Sequence, residues 1–341
     1  MKIRDVVAGA NASIYYRMNF KLIKGVFYPR TENDVIEAIR LAQEHGFDVT
    51  PKGGGSGLSG ACTGGNRERI ILSSLQMKEV LGFSKDQGYV DVQAGTTPDE
   101  INAVLQPSGL RFWVAPSSRD VATVGGILST DGGGNDAWIN GTMRDNTLRV
   151  KMVLYDGRLI VVDHKGVRSP DKELEAQLNS AGMTLNDVAG SHGTLGFITE
   201  LRLVVRPAKT QKLVGGVSHF ADCSEMGKAI DRMVRANSPI VYGEAITSVH
   251  EDIRGELTPP LLILEFPEAY EHEIAGMSQY TRYDPTALKA MKDIRLKLPK
   301  RNPVRGRQLA LFEDYGFYGE SLVHMQERID EIDNLLRKHE F

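Results

Sequence analysis

The sequence is poor in cysteine and has no long apolar run, and each absence excludes a class of protein. Its 341 residues include only two cysteines, Cys62 and Cys223. They are too few and too far apart for a disulfide framework, a Cys-x-x-Cys pair or a four-thiolate iron–sulfur cluster. Such low cysteine use predicts a reducing, cytoplasmic location. No apolar run approaches the roughly 20 residues of a membrane span, and the N-terminal segment lacks the apolar core of a signal peptide.

An excess of charge of one sign is also missing. The chain has 41 Lys and Arg against 44 Asp and Glu, a formal net charge of -3. A protein that binds nucleic acid is typically clearly basic. We therefore expect no nucleic-acid partner.

Glycine, in contrast, is abundant and unevenly distributed. The 35 glycines make up about one residue in ten, against roughly 7% on average. They cluster before residue 208, whereas charged helical patterns and prolines dominate after it. Glycine clusters mark positions where the backbone needs a positive φ or must approach a ligand closely. The change of composition predicts two domains, 1–208 and 209–341.

The first glycine tract, Pro51–Gly60, follows a predicted strand at 47–50 and contains the pattern G-x-G-x-x-G at 55–60. That pattern alone is a weak signal. A nicotinamide-binding Rossmann loop opens directly into a helix, but Gly64 and Gly65 follow too soon for one. Consecutive glycines can still direct several backbone N–H groups at one anion. The tract is therefore predicted to be an open phosphate-binding loop, with a flexible surface loop as the alternative.

A second tract, Pro116–Gly134, combines glycines with small hydroxyl residues, and a third lies at 190–200. Small side chains leave room for a large planar ligand, and hydroxyl groups can bond to ring heteroatoms. A tightly packed glycine-rich turn is the alternative for either tract alone. Three such tracts in one domain favour a ligand.

Local signals predict a mixture of helices and strands. Thr31 and Asp34 have the spacing of a capping box before an apolar helical stripe that ends at Gly46. Asp156-Gly157 joins two β-rich runs as a hairpin. Thr97 begins a helix over 98–105. Beyond Pro207 the patterns predict strands at 214–220 and 261–266 and helices at 224–236, 285–298 and 321–339.

Four motifs in order resemble one known family: 51–60, 116–134, Gly141–Asn146 and 191–200. The chain resembles the FAD-binding domain of the vanillyl-alcohol oxidase / para-cresol methylhydroxylase superfamily. Within it, the chain is most similar to the glycolate oxidase and D-lactate dehydrogenase flavoproteins. The resemblance implies an α+β fold, with a two-subdomain FAD-binding domain of the para-cresol methylhydroxylase type. An incomplete α+β cap domain, which binds substrate, is expected to follow.

The resemblance also implies the residues that contact FAD. Backbone groups of the first tract are expected to hold the pyrophosphate: Gly53, Gly54, Gly55, Ser56, Gly57 and Leu58. Residues of the later tracts are expected along the ribityl chain, the flavin ring and the adenine: Pro116, Ser117, Thr123, Gly125, Gly126, Ser129, Thr130, Gly132 and Ile198. The chain departs from the family at His192 and Asp131, and an aspartate beside the ring would disfavour an anionic reduced flavin. With no histidine in the first loop and Cys62 interpreted as a packed thiol, FAD is predicted to be non-covalent.

Catalysis is less well specified. Arg295 aligns with the family's substrate-binding arginine, although Lys292 replaces the tryptophan that usually precedes it, and a solvated arginine is an equal alternative. A histidine-glycine segment that supplies metal ligands and a general base normally follows in the family, and none of the eight histidines lies in such a motif. No metal site is predicted in this chain. A second subunit could complete the active site.

Three functions follow from the resemblance. The first is FAD-dependent oxidation of a small D-2-hydroxy acid, such as lactate or glycolate, by hydride transfer to flavin, with the electrons passing to a partner protein, a quinone or oxygen. The second is an FAD-carrying electron-transfer or scaffold subunit without substrate chemistry of its own. The third is an oxidase for sugars or alcohols.

Overall fold

The computed structural model describes residues 20–57, 60–63, 65–134, 136–208, 212–247 and 258–297. The helix predicted for 321–339 lies outside these residues. The chain divides into two compact units. The first consists of 1–134 and 141–208, and the second of 135–140 and 209–341. The chain thus enters the second unit briefly at 135–140 before it returns to the first.

The described residues form both strands and helices. The strands are β1 (Ile23–Phe27), β2 (Asp48–Lys52), β3 (Arg69–Ser73), β4 (Val80–Ser84), β5 (Tyr89–Gln93), β6 (Leu110–Arg111), β7 (Thr147–Leu154), β8 (Leu159–Asp163), β9 (Gly166–Arg168), β10 (Gly196–Val204), β11 (Arg206–Pro207), β12 (Leu213–His219), β13 (Tyr242–Ile246), β14 (Leu261–Pro267) and β15 (Tyr280–Tyr283). The helices are α1 (Glu32–Glu44), α2 (Pro98–Leu105), α3 (Val124–Ser129), α4 (Ala137–Asn140), α5 (Lys172–Ser180), α6 (Leu185–Val188), α7 (Cys223–Arg235), α8 (Glu271–Ser278) and α9 (Pro285–Lys297). None of the helices in this part of the chain is long and apolar enough to cross a membrane.

The first unit is α+β and contains two main sheets. A three-stranded parallel sheet has the order β1-β3-β2. A six-stranded sheet has the order β4-β5-β10-β7-β8-β9, and its neighbouring strands run antiparallel. A short antiparallel pair joins β6 to β11. This is the α+β architecture that the sequence predicts.

Helix α1 begins and ends where local chemistry predicts. The Thr31 hydroxyl accepts a hydrogen bond from the Asp34 N–H at 3.2 Å, and the Asp34 carboxylate accepts one from the Thr31 N–H at 2.9 Å. Gly46 follows the helix with a φ of +68°, which only glycine adopts at little cost. The buried face of the helix, including Val35 and Ile39, packs in one core with Ile70 and Leu72 of β3 and with residues of β7 and β10. This core joins the parallel sheet to the antiparallel one within the first unit.

The second unit has a four-stranded antiparallel sheet of order β13-β14-β12-β15. Met226 and Ile230 of α7 pack with Phe266 of β14 and Ile274 of α8 to form its core. The excursion at 136–140 belongs to this unit, where the Trp138 indole N–H donates to the Ser238 carbonyl at 3.1 Å. The second unit is therefore also α+β, with helices on an antiparallel sheet.

Candidate functional site

The first glycine tract leaves the sheet at the carboxyl end of β2. Residues 53–57 are loop, and Gly55 has a φ of +69°. Among the described residues, no backbone carbonyl accepts a hydrogen bond from the N–H groups of residues 53–57. Ligands of open parallel sheets bind beyond the carboxyl ends of the strands. A run of N–H groups that lack a described acceptor at such an end is suited to an anion.

The glycines of this loop are needed for two different reasons. A Cβ at Gly54 would overlap the carbonyl oxygen of Val121 and lie 2.7 Å from its carbonyl carbon. A Cβ at Gly53 would overlap the Thr123 hydroxyl. In contrast, a Cβ at Gly57 would meet no described atom within 4 Å. The packing of the protein therefore explains Gly53 and Gly54, whereas Gly57 leaves open space of the kind that a ligand can fill.

The second tract contains the short helix α3, which the sequence did not reveal. Thr123 caps it, and its hydroxyl accepts from the Gly126 N–H at 3.4 Å. The N–H of Val124 donates to the Thr96 carbonyl and that of Gly125 to the Ala94 carbonyl, both at 2.9 Å. A Cβ at Gly125 would lie 2.8 Å from that of Ala94. The helix therefore depends on contacts with the chain that follows β5.

The family described as FAD binding domain matches residues 23–163. This range runs from β1 to β8 and contains both glycine tracts. These residues form an FAD-binding domain. The fold likeness extends further: a solved structure of alkyldihydroxyacetonephosphate synthase superposes with a TM-score of 0.61 at 19% identity, over 80% of this chain and 54% of that one.

Curated relatives support the same superfamily. A probable mitochondrial D-lactate dehydrogenase of Danio rerio is 28% identical over 75% of this chain and 52% of its own length. A D-lactate dehydrogenase of Archaeoglobus fulgidus is 34% identical over 55% of this chain and 39% of that protein. A D-2-hydroxyglutarate dehydrogenase of Escherichia coli is 33% identical over 55% of this chain and 23% of that protein. The chain thus spans about half the length of the first relative and less of the others.

The hydroxyl groups expected to contact FAD make bonds within the FAD-binding domain. The Ser129 hydroxyl donates to the Gly125 carbonyl at 2.8 Å. The Thr130 hydroxyl lies 3.2 Å from the carbonyls of both Gly126 and Ile127. Each oxygen keeps lone pairs that can accept a further hydrogen bond. The predicted contacts of Ser129 and Thr130 with FAD stay predictions.

The other predicted contacts of this tract lie near the two ends of α3. Pro116 and Ser117 precede it in a turn where the Arg119 N–H donates to the Pro116 carbonyl at 3.0 Å, and Ser117 is exposed. Gly132 follows the helix, and its N–H donates to the Ile127 carbonyl at 2.8 Å. Both bonds are local, so they define the turn at 116–119 and the chain that leaves α3.

Asp131, where the family often has asparagine, is held by an ion pair. Its carboxylate accepts from the Arg144 side-chain Nε at 2.9 Å and from the Arg144 N–H at 3.0 Å. The Thr142 hydroxyl donates to it at 2.9 Å. Asp131 has a φ of +48°. The carboxylate therefore connects the second tract to the Gly141–Asn146 motif, and its negative charge is balanced by an arginine.

The third tract is tied to the other two. The N–H of His192 donates to the Ser129 carbonyl at 2.6 Å. The Tyr155 hydroxyl donates to the Gly193 carbonyl at 2.6 Å, and burial raises the pKa of that tyrosine. A Cβ at Gly193 would lie 2.6 Å from Cγ of Pro51. The three glycine tracts, far apart in sequence, therefore meet in one region of the FAD-binding domain.

Ile198 is buried in β10 and forms part of the main core of the first unit. It pairs with Met152 of β7 just before a register shift between Ile198 and Glu200. Its side chain is therefore structural, and only its backbone can serve the contact that the family resemblance implies.

Two predicted residues lie partly or wholly outside the described structure. Leu58 is outside it. Arg295 lies in α9, one turn beyond Lys292, but its side chain is outside the described part. Lys292, which replaces the family's tryptophan, forms an ion pair with Glu265 at 2.5 Å and lies 4.1 Å from the ring centre of Tyr242. These contacts fix α9 on the sheet of the second unit.

Two buried polar residues, at the ends of β2 and β3, are not among the site residues that the sequence predicts. Lys52 is 5% exposed and Ser73 is 1% exposed. The position of Lys52 immediately before the first glycine was a usable signal. Nothing in the sequence points to Ser73, because its proximity to Lys52 depends on strand pairing.

Proposed function

We propose that this protein is an FAD-dependent oxidoreductase that oxidises a D-2-hydroxy acid. The observation that carries the proposal is the loop at 53–57, whose N–H groups have no acceptor among the described residues and lie at the carboxyl end of a parallel sheet. The FAD-binding domain family matches around that loop. Relatives named D-lactate dehydrogenase and D-2-hydroxyglutarate dehydrogenase support the substrate class. The FAD that this loop would hold would supply the acceptor for a hydride from the substrate carbon that carries the hydroxyl group; the hydroxyl proton would pass to a general base, and a 2-oxo acid would remain.

The roles of the cofactor residues follow from this proposal. Backbone N–H groups of residues 53–57 bind the pyrophosphate, and the segments around α3 position the ribityl chain and ring. FAD is held non-covalently. Burial raises the pKa of the Cys62 thiol, so that the thiol stays protonated and a poor nucleophile near neutral pH. Attachment through Cys62 is therefore disfavoured.

The substrate side is assigned to the second unit. We place the cofactor domain at 1–208 and the cap domain at 209–341, with Arg295 of α9 binding the substrate carboxylate. An arginine can bind a carboxylate through two parallel hydrogen bonds. A second protein subunit is proposed to complete the active site, and a partner protein, a quinone or oxygen to receive the electrons. The proposed location is the cytoplasm.

Anaerobic reduction of the bound flavin tests the proposed reaction. The purified protein, loaded with FAD, is mixed with D-lactate, D-2-hydroxyglutarate or glycolate, and the visible flavin absorbance is followed. L-Lactate serves as the control for the configuration at carbon 2. Bleaching by a D-2-hydroxy acid but not by L-lactate supports the proposal. A protein that binds FAD and is bleached by none of them, either alone or together with the second subunit, would instead be an electron-transfer or scaffold subunit.

The role of Arg295 has its own test. Removing the charge in Arg295→Met is expected to raise KM for the acid by roughly tenfold or more, because a charge-assisted carboxylate contact is lost. Arg295→Lys, which keeps the charge, is expected to recover part of the loss. Lys289→Met removes a charge from the same helix and is the matched control. Equal KM values for Arg295→Met and the control would overturn the assignment.

A further inference from the structure

Two polar side chains lie side by side at the carboxyl end of the parallel sheet. Lys52 is the last residue of β2, Ser73 is the last residue of β3, and the two are partners in the parallel register. Partners in a parallel pair point to the same face of a sheet. The glycine loop begins at the residue after Lys52. The pair therefore stands at the base of that loop.

Both side chains are buried, and neither has a hydrogen-bond or ion-pair partner among the described residues. Lys52 is 5% exposed and Ser73 is 1% exposed. In the part of the chain that the structure describes, the Ser73 hydroxyl has no hydrogen-bond partner. Within the described ranges, no carboxylate or carbonyl pairs with the Lys52 ammonium. Buried charges are ordinarily paired, and buried hydroxyls ordinarily bonded. The Lys52 ammonium and the Ser73 hydroxyl, a cation and a hydrogen-bond donor, are together suited to binding an anion.

No described carboxylate neutralises the charge of Lys52. Burial lowers the pKa of Lys52. The neighbouring Cys62 is the other titratable group that affects Lys52, and burial raises the pKa of its thiol. A protonated thiol supplies no negative charge. The positive charge of Lys52 is therefore left for a ligand to balance.

We propose that Lys52 and Ser73 form a side-chain anion site for the pyrophosphate of FAD, adding an ammonium and a hydroxyl to the backbone N–H groups of the loop. The pyrophosphate is the anionic part of FAD, and it is the part assigned to the loop that follows Lys52. The inference rests on that assignment of the loop, but it does not depend on which substrate the protein oxidises.

Cofactor binding by the apoprotein tests the site without any turnover. FAD and riboflavin are titrated into the wild type, Lys52→Met, Ser73→Ala and Lys85→Met, with flavin fluorescence as the readout. Lys85 is exposed, so that Lys85→Met removes the same charge from the surface. Lys52→Met is expected to weaken FAD binding by roughly tenfold or more, because a charge-assisted contact is lost. Its riboflavin binding, which involves no phosphate, is expected to be unchanged.

Stability measurements separate a ligand role from a structural one. Without FAD, Lys52→Met and Ser73→Ala remove buried polar groups that have no partner among the described residues, so that both are expected to melt at or above the wild-type temperature. Inorganic pyrophosphate is expected to raise the melting temperature of the wild-type apoprotein and not that of Lys52→Met. Ser73→Ala, the smaller change, is expected to weaken FAD binding severalfold. Wild-type FAD affinity in Lys52→Met, or an equal loss of FAD and riboflavin binding, would overturn the proposal.

Discussion

Substituting Gly54 by alanine tests whether the loop at 53–57 has the position seen here. Its Cβ would lie 2.7 Å from the carbonyl carbon of Val121 and 3.3 Å from Cα of Ala122, where an ordinary contact is 3.4–4 Å. Both neighbours are backbone atoms and cannot rotate away as a side chain can. The loop or the segment at 121–122 must therefore move by on the order of 1 Å.

The expected magnitude follows from two opposing terms. Overpacking of this kind costs about 1–3 kcal/mol. Gly→Ala also restricts the unfolded chain, which stabilises by roughly 0.4–1 kcal/mol. The net destabilisation is about 1–2 kcal/mol, which lowers the melting temperature by roughly 2–8 °C. Because the same movement displaces the N–H groups, FAD affinity is expected to fall by roughly tenfold.

Gly57→Ala is the matched control in the same loop. A Cβ there meets no described atom within 4 Å, and Gly57 does not have a positive φ. The melting temperature of its apoprotein is expected to equal or slightly exceed that of the wild type. Differential scanning fluorimetry without FAD gives the stability, and fluorescence titration gives the Kd. If Gly54→Ala matched Gly57→Ala and the wild type in apoprotein melting temperature, and matched the wild type in Kd, the packing of the loop described here would be wrong.

Three further predictions concern named interactions. Asp131→Asn keeps the size of the side chain and tolerates its positive φ, but it loses the ion pair with Arg144. The free energy of unfolding, measured in urea, is expected to fall by about 1–2 kcal/mol. An unchanged urea midpoint would contradict this prediction. Thr31→Ala removes the cap of α1, and the free energy of unfolding is expected to fall by about 0.5–2 kcal/mol in the same measurement. Thr31→Ser keeps a hydroxyl at the cap and is expected to leave the free energy of unfolding unchanged. Because the pKa of Lys52 is lowered from 10.5 in the folded state, the unfolded state binds more protons between the folded pKa and 10.5. Wild-type apoprotein should therefore gain stability relative to Lys52→Met as pH rises through this window, and parallel pH profiles of the two would refute this.

Features set by near neighbours in the chain could be predicted closely. The capping box of α1 depends on residues three apart, Thr31 and Asp34, and both of its hydrogen bonds are present. The hairpin of β7 and β8 turns at Asp156-Gly157, where Gly157 has a φ of +86°. These interactions are local, so that the residue types and their spacing carry the information.

Features that depend on distant segments could not be predicted in the same way. Helix α3 contains two adjacent glycines, which are poor helix formers. It is supported by bonds from its first N–H groups to the carbonyls of Thr96 and Ala94, about 30 residues earlier in the chain. The family resemblance implies that Asp131 lies beside the flavin ring. Its ion pair with Arg144 could not be predicted, because it requires the chain to return to the first unit after an excursion through 135–140.

By composition alone, the glycine tracts of the sequence predict a large ligand that carries a phosphate, and their resemblance in order to one family implies that the ligand is FAD and that the fold is α+β. Tertiary structure decided which glycines are required by packing and which face open space. Gly54 faces the backbone of Val121, and Gly57 faces open space. It also placed Lys52 beside Ser73. The physical reason is that pairing between strands 21 residues apart sets these neighbours, and no local pattern encodes a register between separate strands.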